Sequence, residues 1–301
     1  MILRPPRDAE FDAILELMNA HQLAVFGEAD TTADELQTWL TSPSVVVERD
    51  IRVLERDGRL VGYVDADANK SDPPLWWCDV KVAPDTDAGE VVGELVSWLE
   101  KRATAGRLRV WTSNDDARVR AAFERLGFTP SRHSYRMEID LGGAVREPAW
   151  PAGVSERTLR EGEELRVYEA AIEVWQDTTD PMDDTFEEWA HWLVKQPTFD
   201  PSLWFLAFDG DGLAGFSLCR QDPLDESAGY VGMLGVRRPW RRQGLGEALL
   251  LHSFRAFRER GWTRGTLGVD ASSPTGATRL YERAGMRIYR DTLFLERPVR
   301  R

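Results

Sequence analysis

Short stretches from the first half of this chain return in the second half, in the same order. Trp39-Leu40 returns as Trp192-Leu193, and Leu60-Val61-Gly62 as Leu213-Ala214-Gly215, both 153 positions on. Phe123-Glu124-Arg125-Leu126-Gly127 returns as Tyr281-Glu282-Arg283-Ala284-Gly285, 158 positions on. A repeat of a whole unit restricts the fold to two copies of one architecture. A length of 301 residues suits two domains of ordinary size. Between the copies, Leu141-Gly142-Gly143 and Pro148-Ala149-Trp150-Pro151 interrupt every periodicity. The expected division is a first domain over 1–143, a linker over 144–152 and a second domain over 153–301.

Periodicity predicts the same element order in each copy. In the first, Ile2 to Arg4 reads as a strand, Asp8 to Gln22 as a helix, and Thr32 to Leu40 as a short helix capped near Thr32. Val45 to Val47 and Ile51 to Glu55 are strand material, Asp57-Gly58 is a turn, and Leu60 to Val64 returns as the hairpin partner. Leu75 to Val82 is a strand, Val91 to Ala103 a helix, Leu108 to Trp111 a strand, Asp116 to Leu126 a helix and His133 to Ile139 a closing strand. The second copy restarts with helices over Glu163 to Trp175 and Phe186 to Val194, then a hairpin of Leu203 to Phe208 with Leu213 to Cys219. The fold class is α/β: a mixed sheet flanked by helices, built twice.

The stretch 229 to 261 carries the chemistry. Gly229 to Val236 is apolar and Gly-rich, a buried strand. Arg237-Arg238-Pro239-Trp240-Arg241-Arg242-Gln243-Gly244-Leu245-Gly246 follows, then a helix from Glu247 to Arg260 ended by Gly261. A helix start leaves backbone N–H groups without partners and a positive dipole end, which together bind anions. Gly244 and Gly246 admit a ligand to the backbone, and Arg241 and Arg242 match phosphate. The expected guest is a phosphate or pyrophosphate. No Lys follows the second glycine as a P-loop requires, and the dinucleotide fingerprint Gly-x-Gly-x-x-Gly is missing.

Arg241-x-x-Gly244-x-Gly246 after a strand resembles the acetyl-CoA pyrophosphate loop of the GNAT acyltransferase superfamily. Downstream, Ala277-x-x-Leu280-Tyr281-x-x-x-Gly285 looks like the second signature of that superfamily. Ser273 stands where members usually carry Asn, and with Pro274 at the first helical position it reads as an N-cap. The resemblance spans the chain as a tandem of the mycothiol synthase type. It implies acetyl-CoA as acyl donor and transfer of an acetyl group to a primary amine of a small molecule. It implies backbone contacts to pantetheine from Leu234, Gly235 and Val236, and a pyrophosphate cradle over Gln243, Gly244, Leu245 and Gly246. Arg241, Arg242, Ser273 and Gly276 are further cofactor residues, and Tyr281 is the general acid at the thioester sulfur. Members often carry a Glu base on the strand before the loop, but Gly232 lies near that place here. Asp225, Glu226 and Asp270 are candidate bases.

Trp175 followed by acids at 177, 180, 183 and 184 is the candidate acceptor wall, with Trp175, Asp177 and Asp180 as its contact residues. Few basic residues follow locally, since Lys195 is the first after Arg166, so the acids are expected to draw a cationic acceptor. The first copy has Ala83-Pro84-Asp85-Thr86-Asp87-Ala88-Gly89-Glu90 in place of the basic loop, and Phe123 in place of Tyr281. Acids repel phosphate, so this half reads as a degenerate partner. The rival reading of the whole chain is a catalytically silent CoA-binding or partner-binding module.

A net charge of −13 argues against nucleic acid as a partner. No apolar run is long enough to span a membrane, and Met1 to Pro6 is no signal peptide. Cys78 and Cys219 form no framework, which fits a reduced, cytoplasmic setting. None of the four histidines has metal-ligand spacing with another, so no metal is expected. A homodimer stays open.

Overall fold

The computed structural model describes residues 1–299, in which the chain forms two compact units. One gathers Met1–His133 and the described chain from Asp291 onward, the other Ser134–Arg290.

The first unit opens with β1 (Ile2–Arg4), α1 (Phe11–Phe26), α2 (Ala33–Leu40), α3 (Val47–Asp50), β2 (Ile51–Arg56) and β3 (Arg59–Asp65). It continues with β4 (Asp67–Ala68), β5 (Leu75–Cys78), β6 (Val80–Val82), α4 (Ala88–Arg102), β7 (Arg107–Ser113) and α5 (Ala117–Arg125). Thr32 caps α2 by accepting from Glu35 N–H, with Glu35 reaching back to complete a capping box. The strand expected at Val45 to Val47 is instead a turn leading into α3. The Asp50 carboxylate accepts the Val46 N–H at 2.9 Å and is held by Arg49 and Arg102, so a local cap overrides the preference of three valines for strand.

The strand expected over Leu75 to Val82 breaks at Asp79. β5 runs parallel to β7, whereas β6 runs antiparallel to β3. Polar side chains pack at the break. Tyr63 Oη donates to Asp65 Oδ2 at 2.9 Å, the Asp79 N–H donates to Asp65 Oδ1 at 2.9 Å, and Lys81 Nζ lies 2.8 Å from Asp79. Burial and the neighbouring Asp79 push the Asp65 carboxyl up to about 8. Around the cluster sits an apolar core that includes Ile51, Val92, Leu95, Leu99 and Phe123.

The second unit contains β9 (Val154–Thr158), α6 (Glu164–Trp175), α7 (Phe186–Leu193), β10 (Trp204–Asp209), β11 (Gly212–Asp222) and β12 (Asp225–Val236). It goes on through α8 (Leu245–Glu259), β13 (Arg264–Asp270) and α9 (Ala277–Arg283). Its strands run in the order β13, β12, β11, β10, β9, parallel only between β12 and β13. One sheet face packs on α8 through Leu249, Phe254 and Phe257; the other packs Phe216, Leu218 and Met233 with α6 and α7. The 144–152 segment has no regular element and is tied down: Arg146 pairs with Glu247 at 2.9 Å, and the Trp150 ring meets His252 edge-on.

The units do not follow chain order because two strands change places. β8 (Thr129–Asp140) ends the first copy in sequence, yet Ser134–Asp140 pairs with β13 and closes the second unit's sheet. β14 (Arg287–Pro298) ends the second copy, yet Thr292–Pro298 pairs with β7 and closes the first unit's.

Candidate active site

β12 and β13 pair only over Ala228–Val231 and Arg264–Leu267. Beyond that, β12 stays with β11 while Gly268–Asp270 stays with β8, so a wedge opens between them. At its apex Cys219 opposes Val231 and Leu218 opposes Met233, which makes Gly232 an extra bulge residue. The Arg237 N–H donates to Ala214 O at 2.9 Å. Alternation therefore turns the Gly235 backbone to β11 as well, and those of Leu234 and Val236 to the wedge. Gly235 is glycine for a packing reason: a Cβ there would lie 2.4 Å from the Phe216 ring. Of the three residues expected to line the cofactor, two present their backbone to the opening.

The basic loop delivers the chain to α8. Gly244 is its N-cap at φ 87°, in the left-handed region, and no side chain caps the first turn. The fold thus needs glycine at 244. It does not need one at 246, where a Cβ would meet Val236 at an ordinary 3.5 Å. Freedom at 246 suits close approach of a ligand to the Gly246 N–H. Gln243 and Arg242 lie exposed beside this helix start. The only acid in the first turn, Glu247, is engaged by Arg146.

The arginines of the loop behave differently from one another. Arg237 bonds Glu173 at 2.7 Å, and Arg238 grips Asp177 through two bonds of 2.9 and 2.7 Å. Arg241 bonds the same carboxylate at 2.6 Å and donates to Val236 O at 2.9 Å. Bonds from Arg238 and then Arg241 hold the Asp177 carboxyl down at about 2. The expectation that Asp177 stands away from basic partners is corrected: its partners come from the loop more than sixty residues later. Asp177 and Glu173 fasten that loop to the end of α6. The same wall places Trp175 flat against Phe216, with ring centroids 6.4 Å apart, and Asp180 takes the Thr178 hydroxyl on its backbone carbonyl.

Tyr281 reaches the site from α9. Burial, with a further contribution from Tyr230, pushes its phenol up to about 12. The helix beneath it starts later than expected. Ser273 is not its N-cap; Gly276 is, at φ 72°. Ser273 is drawn into the preceding turn, its N–H donating to Asp270 O at 3.1 Å and its hydroxyl 2.8 Å from that of Thr275.

Two of the three candidate bases, Asp225 and Glu226, lie away from the wedge, and Asp270 lies on the β13 segment that borders it. Glu226 sits at the opposite end of β12, about 20 Å of extended strand from Gly232. Asp225 bonds Ser227 and pairs with Arg264 at that same end. Asp270 ends β13, where it accepts the Ser272 N–H at 2.8 Å. Among the described residues no cluster of His, Cys, Asp and Glu is arranged to hold a metal, and no helix is long and apolar enough to cross a membrane.

An opened parallel pair beside an uncapped, glycine-started helix defines a mixed α/β fold with an anion-ready helix start, and comparison with known proteins gives its class. Residues 164–286 match the acetyltransferase (GNAT) family. Mycothiol acetyltransferase of Streptomyces bingchenggensis is 30% identical over 251 residues, covering 79% of this chain and 78% of that one. The same enzyme of Geodermatophilus obscurus is 29% identical over 250 residues, with 79% and 78% coverage. A GCN5-related N-acetyltransferase from Sphaerobacter thermophilus superposes with TM-score 0.79 at 29% identity, over 100% of this chain and 96% of that one. A tandem GNAT protein from the clavulanic acid biosynthesis pathway shares the fold, with TM-score 0.77 at 16% identity over 100% and 99% of the two chains. The chain belongs to the GNAT family of N-acetyltransferases, in its tandem form.

Sequence reasoning missed Glu173, Arg237 and Arg238 as loop fasteners. The signal was there: two acids four apart at a helix end, and a run of arginines in need of partners.

Proposed function

We propose that this chain is an acetyl-CoA-dependent N-acetyltransferase with one working site, in the second domain (153–301), joined through 144–152 to a degenerate partner (1–143). The observation that carries this reading is the α8 start: left-handed Gly244, no capping side chain, and a wedge beside it that presents backbone from Leu234 and Val236.

The free first-turn N–H groups of Leu245 and Gly246 suit a pyrophosphate, with the exposed Arg242 to add charge. Arg241 serves the site by fixing the loop against Val236 and Asp177. The bound donor supplies the acetyl group already activated as a thioester. Backbone N–H groups on the wedge side of β12 polarise its carbonyl. Tyr281 keeps its proton throughout the physiological range and, as the general acid, is the proton source for the departing sulfur.

The acceptor is a primary amine on a small molecule, and the relatives' name puts the acceptor of the mycothiol acetyltransferases first among those to try. Calorimetry with acetyl-CoA, followed by an acetyl-CoA consumption assay against an amine panel, tests the reading. One binding event per chain with amine-dependent turnover is expected. Binding without turnover on any amine would favour the silent module.

A further inference from the structure

Tyr230 takes no part in the donor site, yet the second unit's sheet is built around it. It lies on β12 opposite Arg220 of β11. On its other side β13 offers Gly268, and beyond that β8 places Arg136 directly opposite Gly268. The guanidinium carbons of Arg220 and Arg136 stand 5.2 and 5.3 Å from the Tyr230 ring centre, so the ring is gripped between two cations. A Cβ on Gly268 would lie 3.6 Å from the Tyr230 hydroxyl, and one on Gly232 3.7 Å from the ring. Both glycines are exposed. Gly268 is also the first residue of β13 beyond the parallel pairing, which sets the hydroxyl at the mouth of the wedge. Tyr281 comes to the same opening from the α8 side of the sheet, within electrostatic reach of Tyr230.

We propose that Tyr230 positions the acceptor: its hydroxyl oxygen accepts a hydrogen bond from the acceptor's amine N–H and holds that nitrogen at the mouth of the wedge. This rests on the acetyltransferase reading and goes beyond it, because the exposed Gly232 and Gly268 leave the Tyr230 ring and hydroxyl uncovered by any side chain of their own at the wedge. The hydroxyl makes no hydrogen bond to another described residue in the β12 ladder, and both guanidinium groups lie against the ring and not the hydroxyl. The bond is present before and during acetyl transfer, so its loss weakens acceptor binding without slowing the bound complex.

Tyr230→Phe removes the hydroxyl and keeps the ring between its arginines. Steady-state kinetics with the best amine from the panel should show the acceptor KM rising about tenfold with kcat nearly unchanged. Calorimetry should show acetyl-CoA affinity within about twofold of the parent. Gly268→Ala, which sets a methyl group beside the hydroxyl, should raise the acceptor KM in the same way. An unchanged acceptor KM in Tyr230→Phe overturns the proposal. So does a parallel loss of acetyl-CoA affinity, which would mark Tyr230 as scaffold of the wedge. A parent chain that binds no acetyl-CoA would overturn the acetyltransferase reading itself, and this role with it.

Discussion

α4 and α8 occupy the same place in the two copies, and their first turns are finished in opposite ways. At α4 the chain supplies its own anion. Asp87 caps the helix by accepting the Glu90 N–H at 3.0 Å, and bonds from Glu90 and Gly89 hold its carboxyl below the usual range. Asp85 beside it is locked by Arg59, and Glu90 by Arg56. At α8 the same position is Gly244, and the nearby carboxylates face other partners. One helix start is closed from within and the other is left for a guest. The same dipole and the same free N–H groups thus serve stability in one copy and are available for binding in the other.

Filling the open start should break the contrast most severely. Gly244→Glu puts a carboxylate and a strained left-handed side chain at the proposed pyrophosphate site. Acetyl-CoA binding should fall by on the order of 10²-fold or more by calorimetry, in line with the loss of a charge-assisted site. Two equal sites per parent chain would erase the contrast altogether.

Next comes the tyrosine that only the second copy has. Tyr281→Phe makes the second copy like the first at that position, where Phe123 is fully buried. Turnover should drop on the order of 10²-fold while acetyl-CoA affinity stays nearly level. Undiminished turnover would assign the proton to water.

The buried carboxyl of the first copy gives a third test. Asp65 is held near 8 when folded against 3.8 in the reference state. Its contribution to stability is complete below the lower value and is lost as pH rises through the upper one. Between about pH 5 and about pH 9 the loss should reach several kcal/mol, and Asp65→Asn should flatten it. Denaturation curves at the two pH values decide this, and an equal slope in the variant would assign the loss elsewhere.

Smaller effects should come from the loop fasteners. Asp177→Asn weakens the grip on Arg238 and Arg241, so the KM for acetyl-CoA should rise a few-fold, as expected of a rim charge, while that of the acceptor holds. A rise confined to the acceptor would restore Asp177 to the acceptor wall. Asp87→Gly should have the least effect of all. It removes a cap, lowering the melting temperature slightly, and should leave the first copy without acetyl-CoA affinity because Asp85 and Glu90 remain. Binding gained there would show that a single carboxylate closes the site.

The parts of this molecule that could be read in its sequence are those whose causes are local. Gly244, Gly246 and Tyr281 stand in short motifs, and Thr32 and Asp116 cap helices within three residues of themselves. What escaped was set by distant partners. The pairing of Asp177 with Arg238 and Arg241 joins positions that no window contains. Ser273 looked like a cap because Pro274 follows it, but Asp270 captures the turn first. β9 was invisible because Ser155-Glu156-Arg157 shows no apolar alternation and forms a strand only by adding to β10.

The crossing of β8 and β14 bears on how the chain comes into being. During synthesis β7 leaves the ribosome long before its partner, so its edge stays unpaired until Thr292 to Pro298 emerge. Throughout that interval the edge is an unpaired template, the kind that joins strands from other molecules. Arg107 and Arg109 line it, and both later pair with Glu296, so charge guards the edge until the matching acid arrives. A nascent chain stalled before Leu293 should therefore be protease-sensitive within Met1–His133, whereas Ser134–Arg290 already holds every strand of its own unit.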